Sequence, residues 1–166
     1  SGEARPLARN LVVASVHGKA GLGDLVIPRV EKLFGDAVLE MRDEIYRYPG
    51  EITILTLGPL TNVALLVTRY PKCIKLIKQI VIMGGALKIP GNKTLFAEFN
   101  FFVDPEAVQI ILGANIKKVL IPLDACNKTG FDISNFGQLK SMFILDLVES
   151  YQKALKTYEK INKIIV

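Results

Sequence analysis

The stretch "EITILTLGPLTNVALLVTRYP", residues 51–71, decides the fold. Its first part, EITILTL, is a short apolar run rich in Ile and Leu that stops at Gly58-Pro59. Such a run, bounded by turn residues, reads as a buried strand. Its second part sets Leu60, Val63, Ala64 and Val67 on one helical face, and Pro71 limits it. That spacing predicts an amphipathic helix over 59–71, with a further short helix around 72–77. Two more runs, "QIVIMGG" (79–85) and "KKVLIPLD" (117–124), repeat the strand pattern. "DPEAVQIILGAN" (104–115) repeats the helix pattern, with Asp104 as N-cap, Pro105 at the first helical position, and Gly113 and Asn115 as stops. Strands alternating with helices of this length predict an α/β fold with a mainly parallel sheet flanked by helices.

Composition bounds what such a fold does. The 166 residues suffice for one domain, expected over 1–166. Half of them are hydrophobic and mean hydropathy is +0.33, which suits strands buried on both faces, or a piece of a larger protein. The net charge of +5 is spread out, with Lys72, Lys75 and Lys78, then Lys153, Lys156, Lys160 and Lys163, at helical spacing. These are solvated helix faces, and no nucleic-acid partner is expected, because no aromatic platform interleaves with them. Two cysteines, Cys73 and Cys126, make no disulfide framework and suit a reducing, cytoplasmic compartment. The single histidine rules out a Cys/His zinc set. No apolar run reaches the roughly 20 residues that span a bilayer, so no membrane partner is expected. The opening "SGEARPLARN" does not read as a signal peptide and lacks Met, as a processed or cloned end would. "NLVVAS" (10–15) is a further candidate strand, and 134–161 reads as one long helix or two, with Phe143, Leu147, Tyr151, Leu155 and Tyr158 on a common face.

Ligands of parallel sheets bind beyond the carboxyl ends of the strands. That directs attention to Leu57-Gly58-Pro59, Met83-Gly84-Gly85 and Asp124. The connection 86–103 is long for a strand-to-helix loop, where roughly 2–6 residues are usual, and long loops at such an edge tend to carry function. Within "GNKTLFAEFNFFVDPEA" (91–107), Asn92, Glu98 and Asn100 stand beside Phe96, Phe99, Phe101 and Phe102. Asn offers donors and an acceptor and ionised Glu offers acceptors, a set that suits a ligand with several hydroxyls, such as a sugar. Residue types alone equally allow both Asn side chains to stabilise turns and Glu98 to be solvated. His17, in "VHGKAGLGD", is either a base-stacking or hydrogen-bonding group or a turn histidine. Its glycines match neither a Walker A loop nor the dinucleotide-binding spacing. At "TLGPLTNVA" a backbone carbonyl could ligate a hard cation and the helix start could hold an anion, but a tight strand-to-helix turn with Asn62 bonded to backbone is the preferred reading. Asp124 is either a ligand, an acceptor behind the ligands, or a turn residue.

"HGKAGLGD", "LTLGPLTNVA", "IVIMGGA", "GNKTLFAEFNFFVDPEA" and "VLIPLD" occur in that order. Together they resemble the inosine–uridine-preferring nucleoside hydrolases, over nearly the whole chain and most densely from 51 to 124. The resemblance implies a Rossmann-like α/β sheet that binds calcium and hydrolyses the N-glycosidic bond of ribonucleosides to ribose and free base. It implies that Asn92, Glu98 and Asn100 bind ribose hydroxyls, that Met83 lines the sugar site, and that the Leu57 carbonyl is a calcium ligand. It places His17 and Phe99 near the nucleobase and leaves Asp104 with Pro105 to launch a structural helix. It also implies a ribonucleoside as partner and a homo-oligomer. Such cleavage passes through an oxocarbenium-like cation, which oxygen ligands stabilise and apolar walls protect from water.

The chain departs from the family in one respect that bears on catalysis. The family's N-terminal aspartate cluster supplies most calcium ligands and the general base. The seven aspartates here, Asp24, Asp36, Asp43, Asp104, Asp124, Asp132 and Asp146, form no such cluster in sequence, and the family's later His-Asp pair is missing too. No catalytic residue is therefore identified. The chain is expected to be the middle portion of a nucleoside hydrolase domain, impaired when alone, with calcium held weakly by too few oxygens. The alternative expectation is a non-catalytic truncated relative that binds ribose or nucleoside or acts as an assembly partner. A generic nucleotide-binding module is disfavoured, since no glycine loop cradles phosphate and Glu98 would repel it.

Overall fold

Asp36 begins the first helix among the described residues, α1 (Ala37–Arg47), by accepting a hydrogen bond from the Val38 N–H at 2.8 Å. This computed structural model describes residues 1–10 and 35–129, which lie within one compact unit. The remaining elements run in the order β1 (Thr53–Thr56), α2 (Thr61–Arg69), a 3-10 helix (Pro71–Leu76), β2 (Gln79–Met83), α3 (Phe99–Val103), α4 (Pro105–Gly113), β3 (Lys118–Ile121) and α5 (Leu123–Cys126). The strands form a parallel sheet in the order β1-β2-β3, with Ile54 opposite Ile80 and Ile80 opposite Lys118. A parallel sheet alternating with helices bears out the expected α/β class. The candidate strand at 10–15 beyond Asn10, the glycine loop with His17, and the helical stretch 134–161 lie outside the described residues.

The two faces of the sheet differ among the described residues. Successive strand residues point to opposite faces. Ile80 and Ile82 are fully buried and meet Val38 and Ile45 of α1, Leu66 of α2 and Ile111 of α4 in one core. The helices that form this core lie on that face, so the alternate residues Leu55 and Val119 are 59% and 40% exposed. Among the described residues the sheet is thus covered on one face, not both. Burying a Leu or Ile side chain of this core stabilises the fold by roughly 1.5–3 kcal/mol.

Local chemistry explains the ends. The 3-10 helix starts at Pro71, which cannot continue α2. In α4, Asp104 is the N-cap and Pro105 opens the helix, as expected. Asp104 does more than cap. It is fully buried, and beyond the Ala107 N–H at 3.0 Å it accepts from the Thr61 hydroxyl at 2.6 Å and the Leu7 N–H at 2.9 Å. The Arg9 guanidinium grips Glu106 through two nitrogens, at 2.7 and 3.0 Å. The N-terminal segment is therefore fastened to the starts of both α2 and α4. Asn62 accepts from the Glu3 N–H at 2.8 Å, a backbone bond to the N-terminal segment and not one within the turn at "TLGPLTNVA".

Candidate functional site

Met83 ends β2, and the chain leaves the sheet through Gly84-Gly85. The Gly84 N–H donates to the Ile121 carbonyl at 3.1 Å, and the Leu123 N–H donates to the Gly85 carbonyl at 2.9 Å, which ties this exit to the end of β3. Both glycines have a steric reason. A Cβ at Gly84 would stand 2.5 Å from the Phe101 ring, and Gly85 has φ +78°. The loop that follows closes on itself. The Gly91 N–H meets the Leu95 carbonyl at 3.1 Å, the Lys93 N–H meets the Ala97 carbonyl at 3.0 Å, and Thr94 Oγ1 accepts from the Ala97 N–H at 3.0 Å. Gly91 is pressed so close to Ala97 that a Cβ would lie 2.2 Å from its carbonyl oxygen. This is a compact Ω-type loop, tied by its own backbone.

Glu98 closes the loop and caps α3. Its side chain is 2% exposed, and its carboxylate accepts from the N–H groups of Gly85 at 2.9 Å, Asn100 at 2.9 Å and Phe101 at 3.1 Å. The reading of Glu98 as a solvated residue is therefore corrected: its three donors are backbone groups converging in a buried place. Asn92 accepts from the Phe99 N–H at 2.8 Å, in the manner of a turn stabiliser. The Asn100 amide nitrogen lies 3.1 Å from the Met83 carbonyl, 3.2 Å from the Met83 sulfur and 3.5 Å from the Leu57 carbonyl. Sequence reasoning pointed to Leu57, Met83, Glu98 and Asn100, and the fold brings all four together at the carboxyl edge of β1 and β2. Asn92 and Phe99 adjoin them through the loop, and His17 lies outside the described residues.

Asp124 is placed differently from expectation. It lies in the first turn of α5, beyond the end of β3, because Pro122 ends the strand. Its two oxygens accept from the N–H groups of Leu87 at 2.9 Å and Lys88 at 2.8 Å. Those bonds, the Leu87 one foremost, hold its carboxyl below the usual carboxylate range. A depressed folded-state pKa gives a contribution that is fully present above the unfolded value and is lost as pH falls through the folded one. We therefore expect the Leu87 and Lys88 amide resonances to stay fixed on acidification through the ordinary carboxylate range and to move only below it. Movement at the ordinary carboxylate pKa would contradict the bonding.

The donor set around Leu57 bears on a metal. The carbonyl is backbone, on a residue whose side chain is 72% exposed, and it already faces the Asn100 amide. Among the described residues no group of three or more His, Cys, Asp or Glu side chains could hold a metal ion. Calcium needs six to eight oxygens, so these residues alone do not fit it. None of the described helices is long and apolar enough to cross a membrane. A cleft of about 470 Å³ adjoins this site beside α3, lined by Gly85 and Glu98 together with Arg9, Leu87, Phe101 and Phe102.

The carboxyl edge of this parallel sheet gathers a capped loop, a carboxamide and the Met83 and Leu57 carbonyls, at the edge where α/β domains bind their ligands. The comparisons then place the chain: the family model described as inosine-uridine preferring nucleoside hydrolase matches residues 1–166, and the chain belongs to that family. It is 38% identical over 147 residues to the pyrimidine-specific ribonucleoside hydrolase RihA of Escherichia coli O1:K1, covering 86% of this chain and 46% of that protein. The structure of the plant nucleoside hydrolase PpNRh1 superposes with a TM-score of 0.81 at 30% identity, covering 92% of this chain and 52% of that one. The purine-preferring ribonucleoside hydrolase from Gardnerella vaginalis gives 0.83 at 27% identity, covering 94% and 54%. The chain spans about half the length of the curated relatives it matches.

Proposed function

We propose that this chain carries the ribose-holding wall of a ribonucleoside hydrolase, an enzyme that splits the N-glycosidic bond into ribose and free base. One observation carries the reading. The Asn100 amide, the Met83 and Leu57 carbonyls and the Glu98 carboxylate converge at the carboxyl edge of a parallel sheet, within a chain of this family. Asn100 is locked by Glu98 through its own N–H, so its carboxamide is held in place before any ligand arrives, which reduces the ordering cost of binding. Glu98 gives three of its roughly four acceptor sites to backbone N–H groups. It therefore has at most one site left for a ribose hydroxyl. Asn92, Met83 and Phe99 complete the wall around Asn100, with Phe99 assigned to the base; His17, which the family resemblance also assigns to the base, lies outside the described residues. If calcium takes part, Leu57 would offer its carbonyl, Asp124 would act only from behind the loop, and other oxygens would have to come from beyond the described residues.

The test is a nucleosidase assay with inosine and uridine, with and without added calcium, alongside calorimetric binding of the same nucleosides. Binding by the wild-type chain supports the reading, and no binding to either nucleoside at millimolar concentration refutes it. Asn100→Asp replaces the amide donor with an oxygen facing two carbonyls. We expect it to weaken nucleoside binding at least about tenfold, the order of one neutral hydrogen bond lost.

A further inference from the structure

We propose that Asp124 is the positioning residue for the 84–98 loop, and through it for the nucleoside wall. The inference rests on the ribonucleoside reading above and adds a residue that touches no part of that wall. The far half of the loop is cross-bonded within itself, the N–H groups of Gly91, Lys93 and Thr94 donating to the carbonyls of Leu95 and Ala97. Its seaward side chains give it little anchorage: Leu87, Leu95 and Phe96 are 69%, 65% and 86% exposed. What fixes the loop to the sheet is polar. Glu98 holds Gly85 on one side. Asp124 holds Leu87 and Lys88 on the other, one oxygen to each N–H, from a helix turn itself bonded to Gly85 by Leu123. These two carboxylates act at opposite flanks of the same exit, so the orientation of the loop, and with it of Asn92 on Phe99, depends on both. The carboxylate gives each of these adjacent N–H groups an oxygen of its own. An amide in its place would satisfy one and set its own donors against the other.

The experiment compares the wild-type chain with Asp124→Ala, Asp124→Asn and Asp124→Glu, measuring residue-level amide exchange and calorimetric affinity for inosine and uridine. The expected result is faster exchange confined to Leu87, Lys88 and the loop up to Asn92 in the Ala and Asn variants. Affinity should fall about tenfold, and Asp124→Glu, which keeps both oxygens, should recover part of it. Unchanged exchange at Leu87 and Lys88 in Asp124→Ala overturns the clamp. Faster exchange spread over the whole unit, with affinity of the folded fraction unmoved, assigns Asp124 a merely structural role and overturns the proposal. If the wild-type chain binds no nucleoside, the proposed function fails and the ligand half of this inference fails with it. The exchange pattern still decides, independently, whether Asp124 holds the loop.

Discussion

Asp104→Ala should lower the unfolding free energy by about 4 kcal/mol, more than any exposed substitution in this chain. The residue is fully buried and serves three donors on three different segments. Removing the N-cap bond to Ala107 costs about 1 kcal/mol. The Thr61 hydroxyl and the Leu7 N–H then lose their acceptor away from bulk water, at about 1–3 kcal/mol each. The loss is large against the 5–15 kcal/mol that holds a typical domain together. Asp104→Asn keeps one oxygen and should lose about half as much. Urea denaturation followed by far-UV circular dichroism measures both. A midpoint shift in Asp104→Ala equivalent to less than about 1 kcal/mol would mean that the three bonds are not jointly formed.

The difference between what Asp104 looked like in the sequence and what it does illustrates which parts of this fold were legible. Local signals read well. Asp104-Pro105 as a helix start, Pro71 as a stop, and three strands ending at Gly, Pro or Asp were all visible from spacing and residue type. The helix α1 was visible too but was missed: Asp36 stands before Val38, Met41 and Ile45 at helical spacing, as a cap and an apolar stripe should. What could not be read were partnerships between distant segments. Leu7 and Asp104, or Leu87 and Asp124, carry no mutual mark in the chain, because a backbone N–H is the same at every residue. The same limit applied to Glu98. Four phenylalanines around a carboxylate signalled a dry polar site, yet residue types could not say that the hydrogen bonds would come from the backbone. The exposure of Leu55 and Val119 was left open for another reason: apolar strand residues suit cover on both faces or a piece of a larger protein, and sequence does not record which cover is present.

Glu98→Ala is the second large effect, and its two readouts should separate. Three backbone N–H groups, those of Gly85, Asn100 and Phe101, converge on a carboxylate that is 2% exposed. Bonds to a charged acceptor contribute about 1.5–3 kcal/mol each, offset in part by the cost of keeping a carboxylate away from water. A net loss of about 3–4 kcal/mol follows for Ala. Glu98→Gln keeps the shape and one good acceptor but turns an amide donor toward a backbone N–H, so about 2 kcal/mol is expected. Stability is only the first readout. Helix α3 starts at this cap, and Asn100 lies in its first turn, so loosening the cap moves the carboxamide away from the Met83 and Leu57 carbonyls. Nucleoside affinity in Glu98→Gln should therefore fall about a hundredfold, beyond the tenfold that one ribose hydroxyl contact would account for. Calorimetry on folded protein measures this, with amide exchange at Asn100 and Phe101 as control. A fall of only about tenfold with exchange unchanged would show that Glu98 touches ribose directly and does not act by holding Asn100. A large fall together with fast exchange at both residues would show the reverse, that Glu98 matters chiefly as the cap on which the wall is built.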